Sequence, residues 1–237
     1  MITAILNCYK RPEYLQEQIE AIKAQSIPVE DIMIWYNKPD EDTQYNLDSL
    51  GVKVVYSNYN FKFHGRFAFG LLAKTKYVAF FDDDTIPGRD WFKNCLEYID
   101  STSILGTAGV LLSESTYNPH KKIGWNGKLP EVKTEVDLVG HAWFMERNIL
   151  SHLWNQYPVS WDNGEDIQLS FFSYMNAGVK TFVPPHPEDN KSVWGSIKGT
   201  PYGNDSNASH KHSNHSSLRD SIVTTLINNG YKTVISR

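Results

Sequence analysis

The run Tyr77-Val78-Ala79-Phe80-Phe81-Asp82-Asp83-Asp84-Thr85-Ile86-Pro87-Gly88 constrains the fold more than any other stretch of this chain. Its first five residues are all apolar or aromatic, and a strand covered on both faces loses the polar alternation of an exposed one. Three carboxylates follow at once, and Pro87 and Gly88 stop any continuation. In an open α/β sheet, ligands sit in the crevice beyond the carboxyl ends of the strands. Three adjacent negative charges at such an edge repel one another and call for a positive partner. A divalent cation carrying a diphosphate supplies it, because hard cations prefer carboxylate oxygens and phosphates complete the shell. The plainer alternative is a solvated turn capping a helix near Arg89. The apolar strand and the motifs elsewhere weigh against it.

The rest of the chain is consistent with that sheet. Ile2–Asn7 reads as a first strand, and Arg11-Pro12-Glu13 opens a helix with Leu15, Ile19 and Ile22 at helical spacing. Asp31–Tyr36 is a second strand, which makes a parallel βαβ unit. Val52–Tyr56 is a third, and a helix over Arg66–Lys74 leads into the central strand. A helix over Asp90–Ile99 and a strand over Thr107–Leu112 follow. Ser113–Pro130 is loop-like or a short hairpin, Glu135–Gly140 alternates as a strand, Gly164–Met175 is helical and Val179–Val183 a late strand. Pro184–Ser217 is rich in Pro, Gly, Asn, Ser and His; a loop of that length inside a domain is a functional lid or disordered. A helix over Leu218–Asn228 closes the pattern.

At 237 residues and 41% hydrophobic, the chain suits a single α/β domain with ample core. We divide it at about residue 112 into a first half and a second half that carries the 184–217 lid. The net charge of -4 leaves no basic footprint for nucleic acid. No apolar run approaches the roughly 20 residues that span a bilayer, and no basic n-region precedes an h-region. Cys8 and Cys95 lack zinc-ligand spacing. The expectation is a cytoplasmic protein without a transmembrane segment.

Together these motifs resemble the nucleotide-sugar-dependent glycosyltransferases of the GT-A fold, whose acidic motif is written D-x-D. Two relatives compete. Leu6-Asn7-Cys8-Tyr9-Lys10-Arg11-Pro12-Glu13 resembles the opening of both the large family 2 and the exostosin-type family 64. Trp35-Tyr36-Asn37-Lys38-Pro39, Phe81-Asp82-Asp83-Asp84-Thr85, Asn163-Gly164-Glu165-Asp166-Ile167 and Asn214-His215-Ser216-Ser217-Leu218-Arg219 resemble the exostosin type more closely, although Glu-Asp before a helix is also widespread in family 2. Val139-Gly140-His141-Ala142-Trp143-Phe144 is similar to a segment on the acceptor side.

The resemblance implies a Rossmann-like, mixed, mainly parallel sheet flanked by helices, with the donor bound by the first half and a carbohydrate acceptor by the second. It implies a UDP-sugar donor, an N-acetylhexosamine, Mn²⁺ or Mg²⁺ as cofactor, and retention at the anomeric carbon. It implies Asn7, Tyr9, Arg11, Asn37, Arg66, Asp82 and Asp83 at the donor. Asp84, Asp82 and His215 would hold the metal. Gly140, His141, Trp143 and Trp161 would face the acceptor. Asp166, with Glu165, and Arg219 would carry catalysis: in a retaining enzyme Arg219 steadies the leaving diphosphate, whereas in a family 2-like inverting enzyme Asp166 takes the acceptor proton. Asn7-Cys8-Tyr9-Lys10-Arg11 lacks the glycines of a sugar-nucleotide pyrophosphorylase. A sugar- or nucleotide-binding module without turnover is the non-enzymatic alternative.

Overall fold

The computed structural model describes residues 1–39, 43–198, 202–206 and 208–237. Strands β1 (Ile2–Cys8), β2 (Asp31–Asn37), β3 (Lys53–Ser57) and β4 (Tyr77–Phe81) pair in parallel in the spatial order β3-β2-β1-β4. Helix α1 (Leu15–Lys23) connects β1 to β2, and α2 (Gly65–Gly70) precedes β4. Helix α3 (Trp91–Tyr98) then leads to β5 (Ser103–Leu112). Beyond β4 the sheet becomes mixed. Strand β8 (Leu138–Glu146) runs antiparallel between β4 and β5. Strand β9 (Lys180–Val183) pairs in parallel with β5, and β7 (Thr134–Val136) closes that edge antiparallel to β9. The Ser113–Pro130 region contains β6 (His120–Gly124), which pairs antiparallel with β5 as a hairpin.

Apolar residues of β4 feed two cores because successive side chains alternate across a strand. Val78 and Phe80 join Ile5, Phe67, Trp143, Phe171 and Ile222 on one face. There α2, α4 (Glu165–Ala177) and α5 (His215–Asn228) cover the sheet. Ala79 and Phe81 join Leu6, Leu15, Ile19, Trp91 and Phe92 on the other, beneath α1 and α3. A layer of helices on each side explains why the central strand could lose its polar alternation. No helix among the described residues is long and apolar enough to cross a membrane.

Three differences from the sequence reading have local causes. The strand expected at 135–140 breaks at Asp137, whose buried carboxylate accepts hydrogen bonds from the backbone of Leu112 and Val234 and from the Tyr231 hydroxyl. The chain therefore leaves β9 and joins β4 and β5 at that point. The helix expected to reach Lys74 stops at Gly70, which packs directly on Phe80 and Leu150. The 184–217 region divides. His186 is buried, Asn94 donates to Pro185 and Val193, and the backbones of Gly88, Asp90 and Ile197 bond Trp194, Ser192 and Ile86. Its first part is thus a strap fastened to α3 and to the turn after β4. Residues 199–201 and 207 of the expected lid lie outside the described residues.

Candidate active site

The acidic loop leaves β4 at the carboxyl edge of the parallel strands, where the motif requires it. Its backbone is held from beneath by Gln18 of α1, fully buried, whose amide donates to the carbonyls of Asp82 (2.8 Å) and Thr85 (2.7 Å). Arg11, just after β1, donates to Asp83 at 2.8 Å and reaches Asp84 at 3.5 Å. Its other two nitrogens grip Asp205 at 2.8 and 2.9 Å. The Asp205 hydrogen bond is the main reason that the Arg11 guanidinium is held even more firmly charged than usual. Burial pushes the Asp83 carboxyl up to about 7, helped by Asp84 and Asp82 and opposed by Arg11. Asp84 is raised by burial and by Asp82. The loop holds more negative charge than its surroundings neutralise.

A β-bulge brings a second ligand type to it. The register between β5 and β8 shifts between Gly106 and Ala108, and β8 carries the extra residue at His141, which sits at φ 65°. Its Nδ1 lies 3.8 Å from an Asp82 oxygen and 3.9 Å from an Asp84 oxygen, and its ring packs on Trp125. One ligand atom each from Asp82, Asp84 and His141 fall within 4.8 Å of one another. Two carboxylates and an imidazole on an edge that is short of positive charge suit Mn²⁺ or Mg²⁺. The family resemblance implies His141 on the acceptor side and His215 at the metal. The structure groups His141 with the aspartates. His215 stands at the start of α5, its Nδ1 3.2 Å from the Asn163 amide, and burial lowers its pKa to about 4.

Two buried arginines organise the remaining charges. Arg66 of α2 binds Asp82 with one nitrogen and Glu165 with another, the latter at 3.2 Å, and lies over the faces of Trp143 and Phe67. It is 2% exposed, so its fork joins the acidic loop to α4 rather than facing the cleft. Glu165 is raised to about 7 by burial and the adjacent Asp166, with Arg66 opposing. Arg219 of α5 donates to Asp166 Oδ1 at 3.0 Å and Oδ2 at 2.7 Å, and to Asn163 at 3.1 Å. Its guanidinium also lies over Tyr117, 4.4 Å from the ring centre. Burial disfavours its charge most strongly, but Asp166, Tyr117 and Glu165 together outweigh it and hold the guanidinium more firmly charged than usual. Both carboxylates occupy the first turn of α4, where the helix dipole favours negative charge.

Gly140 lies beside this pair. Among the described residues, a side chain begun there would meet nothing nearer than Asp166 Oδ2, at 4.0 Å, so among them the carboxylate borders open space next to the bulge that carries His141. Trp143, expected at the acceptor, is 2% exposed and belongs to the core. Asn37, expected at the nucleotide base, is buried and binds the loop at Asn60–Lys62. Asn7 and Tyr9 are half-buried near the carboxyl edge, and Trp161 is 55% exposed. Gln18 and Asp205 were not singled out from sequence, since a glutamine inside a helix and an aspartate in a polar tract carry no distinguishing pattern.

Comparisons with known proteins place the fold and the family. The structure resembles a mannosyltransferase, PcManGT, from Pyrobaculum calidifontis in complex with GDP-Man and Mn²⁺, with a TM-score of 0.64 and 14% identity over 99% of this chain and 66% of that one. It also resembles S. aureus TarS, at 0.54 and 18% identity over 78% of this chain and 35% of that one. TarS 1–349 in complex with UDP-GlcNAc gives 0.55 and 16% over 78% of this chain and 56% of that one. The chain therefore spans between about a third and two thirds of the length of these structures. No curated protein sequence matches it. Residues 3–154, well over half of the chain, match the Glycosyl transferase family 2 model. Of the two relatives that the sequence resembles, the matched one is family 2: the chain belongs to Glycosyl transferase family 2 and has the GT-A fold.

Proposed function

We propose that this domain is a metal-dependent glycosyltransferase that moves one monosaccharide from a nucleoside-diphosphate sugar to a carbohydrate acceptor by single displacement, with inversion. The observation that carries it is the Asp166 carboxylate, fixed by both ends of the Arg219 fork and bordering the open space at Gly140. A bound Mn²⁺ or Mg²⁺, held by Asp82, Asp84 and His141, would supply Lewis-acid neutralisation of the departing diphosphate. The Arg11 fork, held by Asp205 in this structure, would suit phosphate oxygens once a donor displaces that carboxylate. Asp166 takes the proton of the attacking hydroxyl, and Arg219 keeps that carboxylate oriented. Glu165 and Arg66 hold the acidic loop in register with α4.

A UDP-sugar, with an N-acetylhexosamine, remains the proposed donor. The resemblance of the acidic motif supports it, and TarS 1–349 was crystallised with UDP-GlcNAc. The retention that the exostosin resemblance implied requires Arg219 to serve the leaving group, and that fork is engaged by Asp166. Proton NMR of the first-formed product tests the reading: an anomeric configuration opposite to the donor's is expected. A product with the donor's configuration would overturn the displacement and restore the exostosin-type mechanism.

A further inference from the structure

Beside the first turn of α4 two surface segments meet, and each is fastened by a buried amide. The Asn37 side chain accepts from the backbone of Phe61 (2.9 Å) and donates to Asn60 Oδ1 (2.7 Å) and the Lys62 carbonyl (3.1 Å). The Gln168 side chain accepts from the backbone of Val159 (2.6 Å) and donates to the carbonyls of Ser160 (2.9 Å) and Gly164 (3.2 Å). Asn37 is 2% exposed and Gln168 fully buried, so their hydrogen bonds fix the two loops rather than solvate them. Lys62 and Asp162 join the loops at 3.8 Å.

What these fixed loops present to water is aromatic. Tyr59 and Phe61 stand edge to face, 5.1 Å between ring centres, and Phe61 rests against Trp35. Trp161 lies over His64 at 5.1 Å, with Trp154 behind it. His64 is buried, and burial, then Arg66, lowers its pKa to about 4, so the floor under Trp161 is neutral at physiological pH. Tyr59, Phe61 and Trp161 are 65%, 48% and 55% exposed. Large rings left in water on loops fixed by buried hydrogen bonds mark a binding surface.

We propose that Tyr59, Phe61 and Trp161 form a ledge that binds further rings of a neutral oligosaccharide acceptor, so that the substrate is a sugar chain rather than a monosaccharide. This rests on the transferase reading above. Position selects the occupant: from Trp161 the chain runs through Asn163, which shares Arg219 with Asp166, into that carboxylate. A sugar chain whose terminal hydroxyl meets Asp166 would extend across the ledge. The C–H face of a pyranose is apolar and matches an exposed ring, while its hydroxyls reach the polar edge at Lys62 and Asp162. Those two charges cancel, which favours an uncharged chain over a phosphate-bearing or acidic one.

The test titrates the protein, in the presence of Mn²⁺ and UDP or GDP, with malto-, cello-, manno- and chito-oligosaccharides of one to four units. The readout is the ratio of dissociation constants for one unit and for three. In at least one series the wild-type ratio is expected to reach about tenfold, and Trp161→Ala and Tyr59→Ser, both at exposed positions, should each bring it to about twofold or less. Taking the ratio within each variant cancels any general loss of affinity. A ratio near one in every wild-type series, or one that persists in both variants, overturns the ledge. UDP and GDP, each titrated alone with Mn²⁺, separate the two readings: if either binds and the length dependence measured in its presence is flat, only the ledge falls, whereas binding of neither removes the transferase reading beneath it.

Discussion

Arg11 and Asp205 are 194 residues apart in sequence, yet two nitrogens of the guanidinium hold the two oxygens of the carboxylate at 2.8 and 2.9 Å. The same guanidinium reaches Asp83 with its third nitrogen. Asp205 thus takes the bidentate position on Arg11 that a phosphate would prefer. Next to it, Gly203 is seated on the Asp84 carboxylate with no room for a side chain. Tyr202 stacks on Tyr14 and donates to Glu17 at 2.7 Å. The segment 202–206 lies on the acidic loop.

A donor diphosphate that binds Arg11 must therefore displace Asp205. Asp205→Ala is expected to tighten UDP binding by roughly three- to tenfold, the scale of one charge-assisted contact no longer in competition. Calorimetry with Mn²⁺ present measures it. Unchanged or weaker binding would mean that Asp205 does not compete for Arg11.

The bulge at His141 makes a second prediction. Chelation should weaken UDP binding, and Asp84→Ala and His141→Ala should each reproduce most of that loss. His215→Ala should leave the Mn²⁺ dependence of UDP affinity in place, because His215 faces Asn163. If His215→Ala abolishes the dependence and His141→Ala does not, the ligand set has been drawn on the wrong histidine.

The Asp166–Arg219 pair makes a third. Asp166→Asn should lower kcat by about 10²–10⁴, the usual contribution of a positioned general base. Arg219→Lys keeps the charge but not the planar fork, and a loss of about tenfold, smaller than that of Asp166→Asn, is expected. Comparable or greater damage from Arg219→Lys would favour a direct role for the arginine at the leaving group.

Stability should fall in mild acid, and His186 is one identifiable source. Its Nδ1 donates to the Pro184 carbonyl at 2.7 Å, and in the neutral ring Nε2 accepts from the Thr107 hydroxyl at 2.8 Å. Burial lowers its pKa from 6.5 to about 4. Between those values the unfolded chain binds the proton and the folded chain does not. Stability is therefore retained above pH 6.5 and declines as the pH falls towards 4, by on the order of 3 kcal/mol from this residue. Urea unfolding of His186→Gln should show a flatter dependence over that interval. A slope equal to the wild-type slope would place the acid sensitivity elsewhere, with His64 and His215, also lowered to about 4, the next to test.

Much of the first half was legible in the chain itself. Largely apolar runs at 2–6, 32–36 and 77–81 and helical spacing after Pro12 are local properties, and β1, β2, β4 and α1 form where those patterns lie. The acidic loop was legible for the same reason: an apolar strand delivers its successor to the sheet edge in any open α/β arrangement. The Glu165-Asp166 pair at the start of α4 was visible as charge ahead of a helical period.

The partners of those charges were decided by the tertiary structure alone. Nothing local to Arg66 says that its fork closes between Asp82 and Glu165, and nothing local to Arg219 says that it holds Asp166 from 53 residues away. Nor does the sequence show that Gly140-His141 carries the bulge that turns His141 toward the aspartates, since a register shift is a property of two strands and not of one. Trp143 and Trp161 are the same residue type, yet one is core and the other faces water, because one sits on β8 beneath the covering helices and the other on the loop before α4. Local sequence determines backbone preference and apolar periodicity, because those act over a few residues. Pairing, burial and exposure are set by which distant segments the folded chain brings into contact.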